Sequence, residues 1–149
     1  MPRSYISLYY HLVFGTKYRE PLIDESIEST LFAVIGSIIR KNDGKLIAAG
    51  GMPDHVHLLV SLSQKRAVMD VLRSVKAKSS RWMHLSAGVP EFRWQDGYGA
   101  FTVSRSGVDR VKRYIDHQKE HHRKEGYEEE LIRFLERHGM PYVRRELFL

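Results

Sequence analysis

The run His55-Val56-His57-Leu58-Leu59-Val60 fixes what the middle of this chain can become. It carries no formal charge, is rich in β-formers, and follows the turn-forming segment Gly50-Gly51-Met52-Pro53-Asp54. Those features describe a buried strand. Residues two apart on a strand share a face, so His55 and His57 project together from a rigid surface. Two imidazoles held that way are a ready pair of metal ligands. The plainer alternative is one buried structural histidine and one exposed one.

The neighbouring segments supply partners for that strand. Ser4 to Phe14 alternates with period two and reads as a strand, and Lys17-Tyr18-Arg19-Glu20-Pro21 as a turn. Asp24 is placed to cap a helix with the apolar stripe Ile27, Leu31, Val34, Ile35, Ile38 and Ile39, which Asn42-Asp43-Gly44 stops. Lys45 to Ala49 and His55 to Leu62 form a strand pair around the Gly-Gly-Met-Pro-Asp loop. A basic helix is expected from Ala67 to Leu85, with Val68, Val71, Leu72, Val75 and Trp82 inside. Short strands are expected at Phe92 to Gln95 and Ala100 to Ser104, followed by helices over Val108 to Lys124 and Glu128 to His138. The core order is strand, helix, strand, strand, helix, strand. This is the split βαβ, ferredoxin-like α+β arrangement: an antiparallel sheet with helices on one side. No repeat or linker divides the 149 residues, so one domain is expected, with a core over about 4–125 and a C-terminal helix and tail over 126–149.

Charge placement narrows the partner. The formal net charge is +6, which suits a polyanion. Lys65, Arg66, Arg73, Lys76, Lys78 and Arg81 crowd one segment, and Arg105, Arg110, Lys112, Arg113, Lys119, Arg123 and Lys124 surround Tyr114. The absence of cysteine excludes disulfide scaffolds, thiolate zinc sites and cysteine nucleophiles. No apolar run approaches a membrane span and no signal-peptide core is present, so a cytoplasmic protein is expected.

Tyr114 and Gln118 lie four apart in Val111-Lys112-Arg113-Tyr114-Ile115-Asp116-His117-Gln118, one turn apart on one helix face. Alone, that pair describes any half-exposed helix. Combined with His55-Val56-His57 in a basic, cysteine-free chain of this topology, it resembles the single-tyrosine HUH transposases. These are small insertion-sequence enzymes acting on single-stranded DNA, with repeat-associated relatives. His55-Val56-His57 matches the family's histidine-hydrophobic-histidine motif, and Tyr114 to Gln118 its Tyr-x-x-x-Gln motif. The stretch near Lys17-Tyr18-Arg19 and Gly97 to Ser104 are also similar to this group.

The resemblance implies that His55, His57 and Gln118 bind one divalent cation, Mg²⁺ or Mn²⁺, and that Tyr114 is the nucleophile. It also implies a homodimer in a prokaryotic cytoplasm, nucleoid-associated when active, and a folded DNA hairpin as the recognised element. The chemistry is coherent. A phosphodiester repels nucleophiles, so developing charge on its oxygens needs a cation. Two neutral imidazoles and an amide would leave that cation fully electrophilic. Attack by tyrosine gives a 5′-phosphotyrosine and a free 3′-OH, which conserves the bond energy for rejoining. A tyrosine with a pKa near 10 needs activation, and no base is identified; His117, His121 and His122 read as solvated, phosphate-facing groups. Lys17, Arg19, Arg73, Lys76, Lys78, Arg81 and Arg113 are the expected DNA contacts, with Tyr5, Tyr9, Tyr18, Trp94, Tyr98 and Phe101 as stacking surfaces, of which at least half are expected in the core.

Two other readings remain at this point. A non-catalytic single-stranded nucleic-acid-binding module of ferredoxin-like fold would want aromatics where β-hairpin histidines stand. A water-using metal hydrolase, or a domesticated repeat-associated nuclease, could share His55 and His57; a water-using enzyme would be expected to show more carboxylate or histidine ligands and has no need of Tyr114.

Overall fold

Strand pairing follows the hydrophobic pattern, with shifted ends. In this computed structural model, which describes residues 2–149, β1 spans Tyr9–Gly15, α1 Glu25–Lys41, β2 Lys45–Met52 and β3 His55–Ser61. They are followed by α2 at Val68–Leu85, β4 at Gly99–Val103, α3 at Val108–Asp116, α4 at Gln118–His121 and α5 at Tyr127–Arg137. The four strands are antiparallel neighbours in the order β2-β3-β1-β4. That is the ferredoxin-like arrangement.

Alternation along the two central strands sorts the sheet into two faces. Leu12 pairs with Leu58 and Phe14 with Val56 on one face, where they meet Leu31, Ile35 and Ile39 of α1 and Val71, Leu72 and Val75 of α2. On the other face His11 pairs with Leu59 and Val13 with His57. The helices α3 and α5 cover that side through Ile115, Leu131 and Phe134. Thus the first two helices share one side as expected, and the C-terminal helices close the other.

Several expectations are corrected. The first strand begins at Tyr9 rather than Ser4. Gly50 and Gly51 belong to β2, pairing with His57 and Val56, so only Pro53 and Asp54 form the hairpin turn. The reason is close packing: a Cβ on Gly50 would run into the carbonyl oxygen of Ile115 in α3. In α2, Trp82 packs partly buried against the core as expected, while Met83 beside it, which was not expected there, is fully buried. Phe92 to Gln95 is no strand; Trp94 makes a lone bridge to Thr16, and its ring stacks edge-on with Phe14 and Phe92. The long helix expected over Val108 to Lys124 breaks at His117, whose backbone leaves helical geometry (φ −107°, ψ 23°). Asp24 does cap α1, accepting from the Ser26 N–H. The tail straps onto the body: Leu147 O and Leu149 O accept from Gln95 Nε2 and Asp96 N.

Candidate active site

The His55 and His57 imidazoles are fully buried on the face covered by α3 to α5. Each is oriented through its inner nitrogen. His55 Nδ1 lies 2.8 Å from Asp54 Oδ1, and His57 Nδ1 lies 2.8 Å from Nε2 of the buried His11. Both outer nitrogens therefore point the same way, toward one carboxylate on α5. Glu130 Oε1 stands 2.7 Å from His57 Nε2, 3.3 Å from His55 Nε2 and 3.1 Å from His122 Nε2. Tyr127 stacks flat on the His55 ring, with centroids 4.1 Å apart, and fixes its plane.

The second carboxylate oxygen gathers the other half of the site. Glu130 Oε2 accepts from the Tyr114 hydroxyl and, at 3.1 Å, from Gln118 Nε2. Arg133 Nη2 donates to the Tyr114 oxygen at 2.9 Å, and Glu125 holds that guanidinium. Although the helix breaks between Tyr114 and Gln118, both side chains reach Glu130. Gly50 permits this by letting α3 sit against the sheet.

Electrostatics follow from this geometry. Burial opposes the charge on Glu130, but hydrogen bonds from His122, His55 and His57 outweigh it and hold the carboxyl far below its usual range. Burial lowers His57 from 6.5 to about 4, against the pull of Glu130. Burial also acts against a charged His55, yet its bonds to Asp54 and Glu130 prevail and raise its pKa. Buried His11 drops to about 3, helped by neighbouring His57. Burial and then Glu130 push Tyr114 well above the ordinary phenol value, with Arg133 opposing them. Tyr114 is therefore a neutral phenol at neutral pH and an ionised carboxylate is its acceptor.

The donor set fits a divalent cation. His55, His57, His122 and Glu130 present ligand atoms all within 4.8 Å of one another, close to the ~4 Å that separates opposite donors around one small ion. The buried Gln118 Oε1 lacks a hydrogen-bond partner among the described residues. A bare buried oxygen costs about 1–3 kcal/mol and is a donor that divalent ions accept. His122 and Glu130 are the residues that sequence reasoning missed. His122 is not solvated as expected: its side chain is 4% exposed. It lies four residues after Gln118, on the same turn. Beside the expected charge-free ligands His55, His57 and Gln118 stands Glu130, which brings a negative charge into their midst. Its signal was present: Tyr127, Glu130, Leu131, Phe134 and Leu135 form the buried stripe of α5, with a carboxylate inside it.

The expected DNA contacts scatter. Arg73, Lys76, Lys78 and Arg81 stand on α2, across the sheet from Tyr114. Lys76 is committed to structure, donating to the carbonyls of Gln95, Asp96 and Gly97. Burial lowers its pKa to about 8, with Asp96 opposing. Arg73 pairs with Asp70, while Lys78 and Arg81 are exposed. Lys17 binds Asp96, and Arg19 lies over the Phe148 ring. Arg113 is exposed on the helix that carries Tyr114. Of the aromatics, Trp94 and Phe101 are core residues, whereas Tyr5, Tyr18 and Tyr98 are exposed.

Comparison with known proteins places this geometry in context. The family described as "Transposase IS200 like" matches residues 4–118. The ISDra2 transposase TnpA of Deinococcus radiodurans is 30% identical over 125 residues, covering 78% of this chain and 88% of the relative. The transposase of insertion sequence element IS200 from Salmonella typhimurium is 29% identical over 121 residues, covering 74% and 76%. A crystal structure of a Deinococcus radiodurans transposase candidate superposes with a TM-score of 0.61 at 28% identity, covering 79% of this chain and 96% of that one. A repeat-associated tyrosine transposase bound to a REP hairpin shares the fold, with a TM-score of 0.54 at 16% identity over 78% and 68% of the two chains. His122, Glu130 and Arg133 all lie beyond the residues that the family match covers.

Proposed function

The chain belongs to the IS200-like transposase family, and from that premise we propose that it cuts and rejoins single-stranded DNA through a covalent 5′-phosphotyrosine on Tyr114. The observation that carries this reading is the sharing of Glu130. One oxygen of that carboxylate faces the histidines and the other accepts the Tyr114 hydroxyl, so nucleophile and cation site are joined through one side chain.

In this reading His55, His57, His122 and Glu130 hold the cation, with Gln118 Oε1 beside them. Mixed imidazole and carboxylate ligation suits Mn²⁺, with Mg²⁺ held more weakly. When bound, such an ion supplies positive charge to the non-bridging phosphate oxygens as the P–O bond forms. Glu130 Oε2 is placed to take the phenolic proton as Tyr114 attacks phosphorus. Arg133 favours the phenolate because its guanidinium reaches the same oxygen. The P–O3′ bond breaks, and the 3′-oxygen takes a proton from solvent, balancing the one passed to Glu130, to become the free 3′-OH. Reversal by a new 3′-OH rejoins the strand without an external energy source, since one phosphodiester replaces another.

A DNA hairpin is the proposed recognised element, and a homodimer the proposed assembly, with each site complete within a chain because Tyr114 and both histidines meet the same Glu130. A water-using hydrolase would also accept this cluster: its extra histidine and carboxylate remove one expected objection to that reading. What favours the tyrosine reaction is that the Tyr114 hydroxyl, rather than open space, lies at the second carboxylate oxygen. The test is a covalent trap on single-stranded oligonucleotides with Mn²⁺. The parent chain should form a denaturant-resistant adduct through Tyr114. Tyr114→Phe should lose it by about a thousand-fold or more while still binding DNA. Strand cleavage by the phenylalanine variant at the parent rate would overturn the proposal in favour of water.

A further inference from the structure

A cavity of about 450 Å³ opens beside Tyr114, between β4, α3 and the end of α5, and only its inner end, at Tyr114 and Arg133, takes part in the transposase chemistry described above. Its inner wall is aromatic. Phe101 and Phe134 stack with centroids 5.5 Å apart, and His11 meets the Phe134 ring edge-on at 5.1 Å. His138 extends this wall outward, lying 4.5 Å from Phe101 centroid to centroid while its own surface is exposed. Its orientation is fixed, because Nδ1–H donates to Phe134 O at 2.8 Å. A ring so held leaves Nε2 free to hydrogen-bond a ligand.

The charged part of the lining is equally specific. Arg110 and Arg137 reach the cavity from two different helices, and neither has a carboxylate partner among the described residues. Arg133 closes the inner end, where its guanidinium touches the Tyr114 oxygen. Thr102 on the exposed edge strand β4 adds a hydroxyl. An aromatic wall, a hydrogen-bonding imidazole and unpaired guanidiniums, converging on one nucleophile, are the elements of a nucleotide site. Flat π-faces stack a base, and guanidiniums take phosphate oxygens. The volume falls within the about 300–1,000 Å³ of small-molecule pockets, which is room for one nucleotide and not for a duplex.

We propose that this cavity is a single-nucleotide subsite: it holds the nucleotide adjoining the phosphate that Tyr114 attacks, with its base against the exposed His138 ring, which the buried Phe101–Phe134 pair backs, and its phosphate toward Arg110 and Arg137. The assignment rests on the transposase reading for the identity of that phosphate. It adds a means by which the protein itself grips the strand at the cleavage point, independent of any distant hairpin. It also accounts for why the end of α5, outside the family-matched region, carries Arg133, Arg137 and His138 in the last turns.

The probes are the four deoxynucleoside 5′-monophosphates, the corresponding 3′-monophosphates, and deoxyribose 5-phosphate as a base-free control. Binding to the full chain is followed by NMR of the His138 and His11 ring protons. Nucleotides should give saturable shifts at both rings, and deoxyribose 5-phosphate should bind at least about ten-fold more weakly, the loss expected when stacking worth ~1–3 kcal/mol is removed. The tighter of the 5′ and 3′ series identifies which side of the cleaved phosphate the pocket holds. The exposed-residue variants His138→Ala and Arg110→Ala/Arg137→Ala should each weaken nucleotide binding by a similar factor with unchanged thermal unfolding. Equal binding of the base-free control, or nucleotide affinity unaffected by both variants, would overturn the subsite. Adduct formation is measured separately, so the outcomes part cleanly. A normal adduct without nucleotide binding removes the pocket and leaves the transposase reading. Nucleotide binding without any adduct does the reverse.

Discussion

The two faces of this sheet are built from the same strands and are chemically opposite. Toward α1 and α2, Leu12, Phe14, Val56, Leu58 and Val60 are all completely buried in an apolar cluster. Toward α3 to α5 the interleaved positions are His11, Val13, His55 and His57, facing a buried Glu130 and Gln118. Period-two alternation lets one strand serve both purposes. The apolar face supplies the burial that holds β3 in place. That rigidity lets the opposite face keep several polar groups out of water at fixed positions.

Four measurements test whether the two faces are separable. The largest effect is expected from Glu130→Gln, which keeps the shape of the side chain but removes the proton acceptor of Tyr114. Adduct formation should fall by about 10²–10⁴-fold, the usual worth of a positioned base, with thermal unfolding near that of the parent. Adduct formation at the parent rate would detach Glu130 from the chemistry.

Leu58→Ala on the opposite face should do the converse. It should destabilise the chain by about 3 kcal/mol, as buried leucine truncations do, and leave adduct formation per folded molecule unchanged. A selective loss of activity there would mean that the two faces are not separable.

A smaller effect is expected from acid. His57 and His11 have folded pKa values of about 4 and about 3, below the usual 6.5 that they regain on unfolding. Between those limits the unfolded chain binds more protons, so their contribution is fully present above 6.5 and is lost as pH falls toward 4. His55, whose pKa is raised, works in the other direction and offsets part of this. The urea midpoint should therefore fall between pH 7 and pH 5, and His11→Asn should flatten that dependence. A midpoint rising toward acid would show that His55 dominates.

The smallest structural effect belongs to the exposed side of α2. Reversing Arg73, Lys78 and Arg81 together should change stability by within about 0.5 kcal/mol per site. It should flatten the salt dependence of DNA affinity, because fewer counterions are released. An unchanged slope would confine DNA to the histidine face. Lys76 does not belong in that set, since reversing it would strand three carbonyls.

Much of the fold was legible because its signals are local. The Asp24 cap, the stripe of α1 and the alternation of β3 each specify an element without reference to the rest of the chain. The paired histidines were legible for the same reason, since strand geometry alone puts them on one face. Element ends were less so. Gly50 and Gly51 look like a turn in sequence and are strand in the molecule, because α3 packs against Gly50 and the hairpin's own His55 carbonyl crowds Gly51, so neither position has room for a side chain.

The strand pattern, its alternating faces and the candidates His55, His57 and Tyr114 could thus be read from local sequence. The centre of the site could not. Glu130 lies 73 residues from His57 in sequence and 2.7 Å from it in space. In sequence it is one of three consecutive glutamates at the start of a helix, set apart from the other two only by its place on that helix's apolar stripe. Only the docking of α5 onto the sheet selects the third of them, turns it inward among imidazoles that compensate its charge, and brings one of its oxygens to the nucleophile. Burial and hydrogen bonding act over distances in space, and a carboxylate's role is set by what surrounds it once the chain has closed.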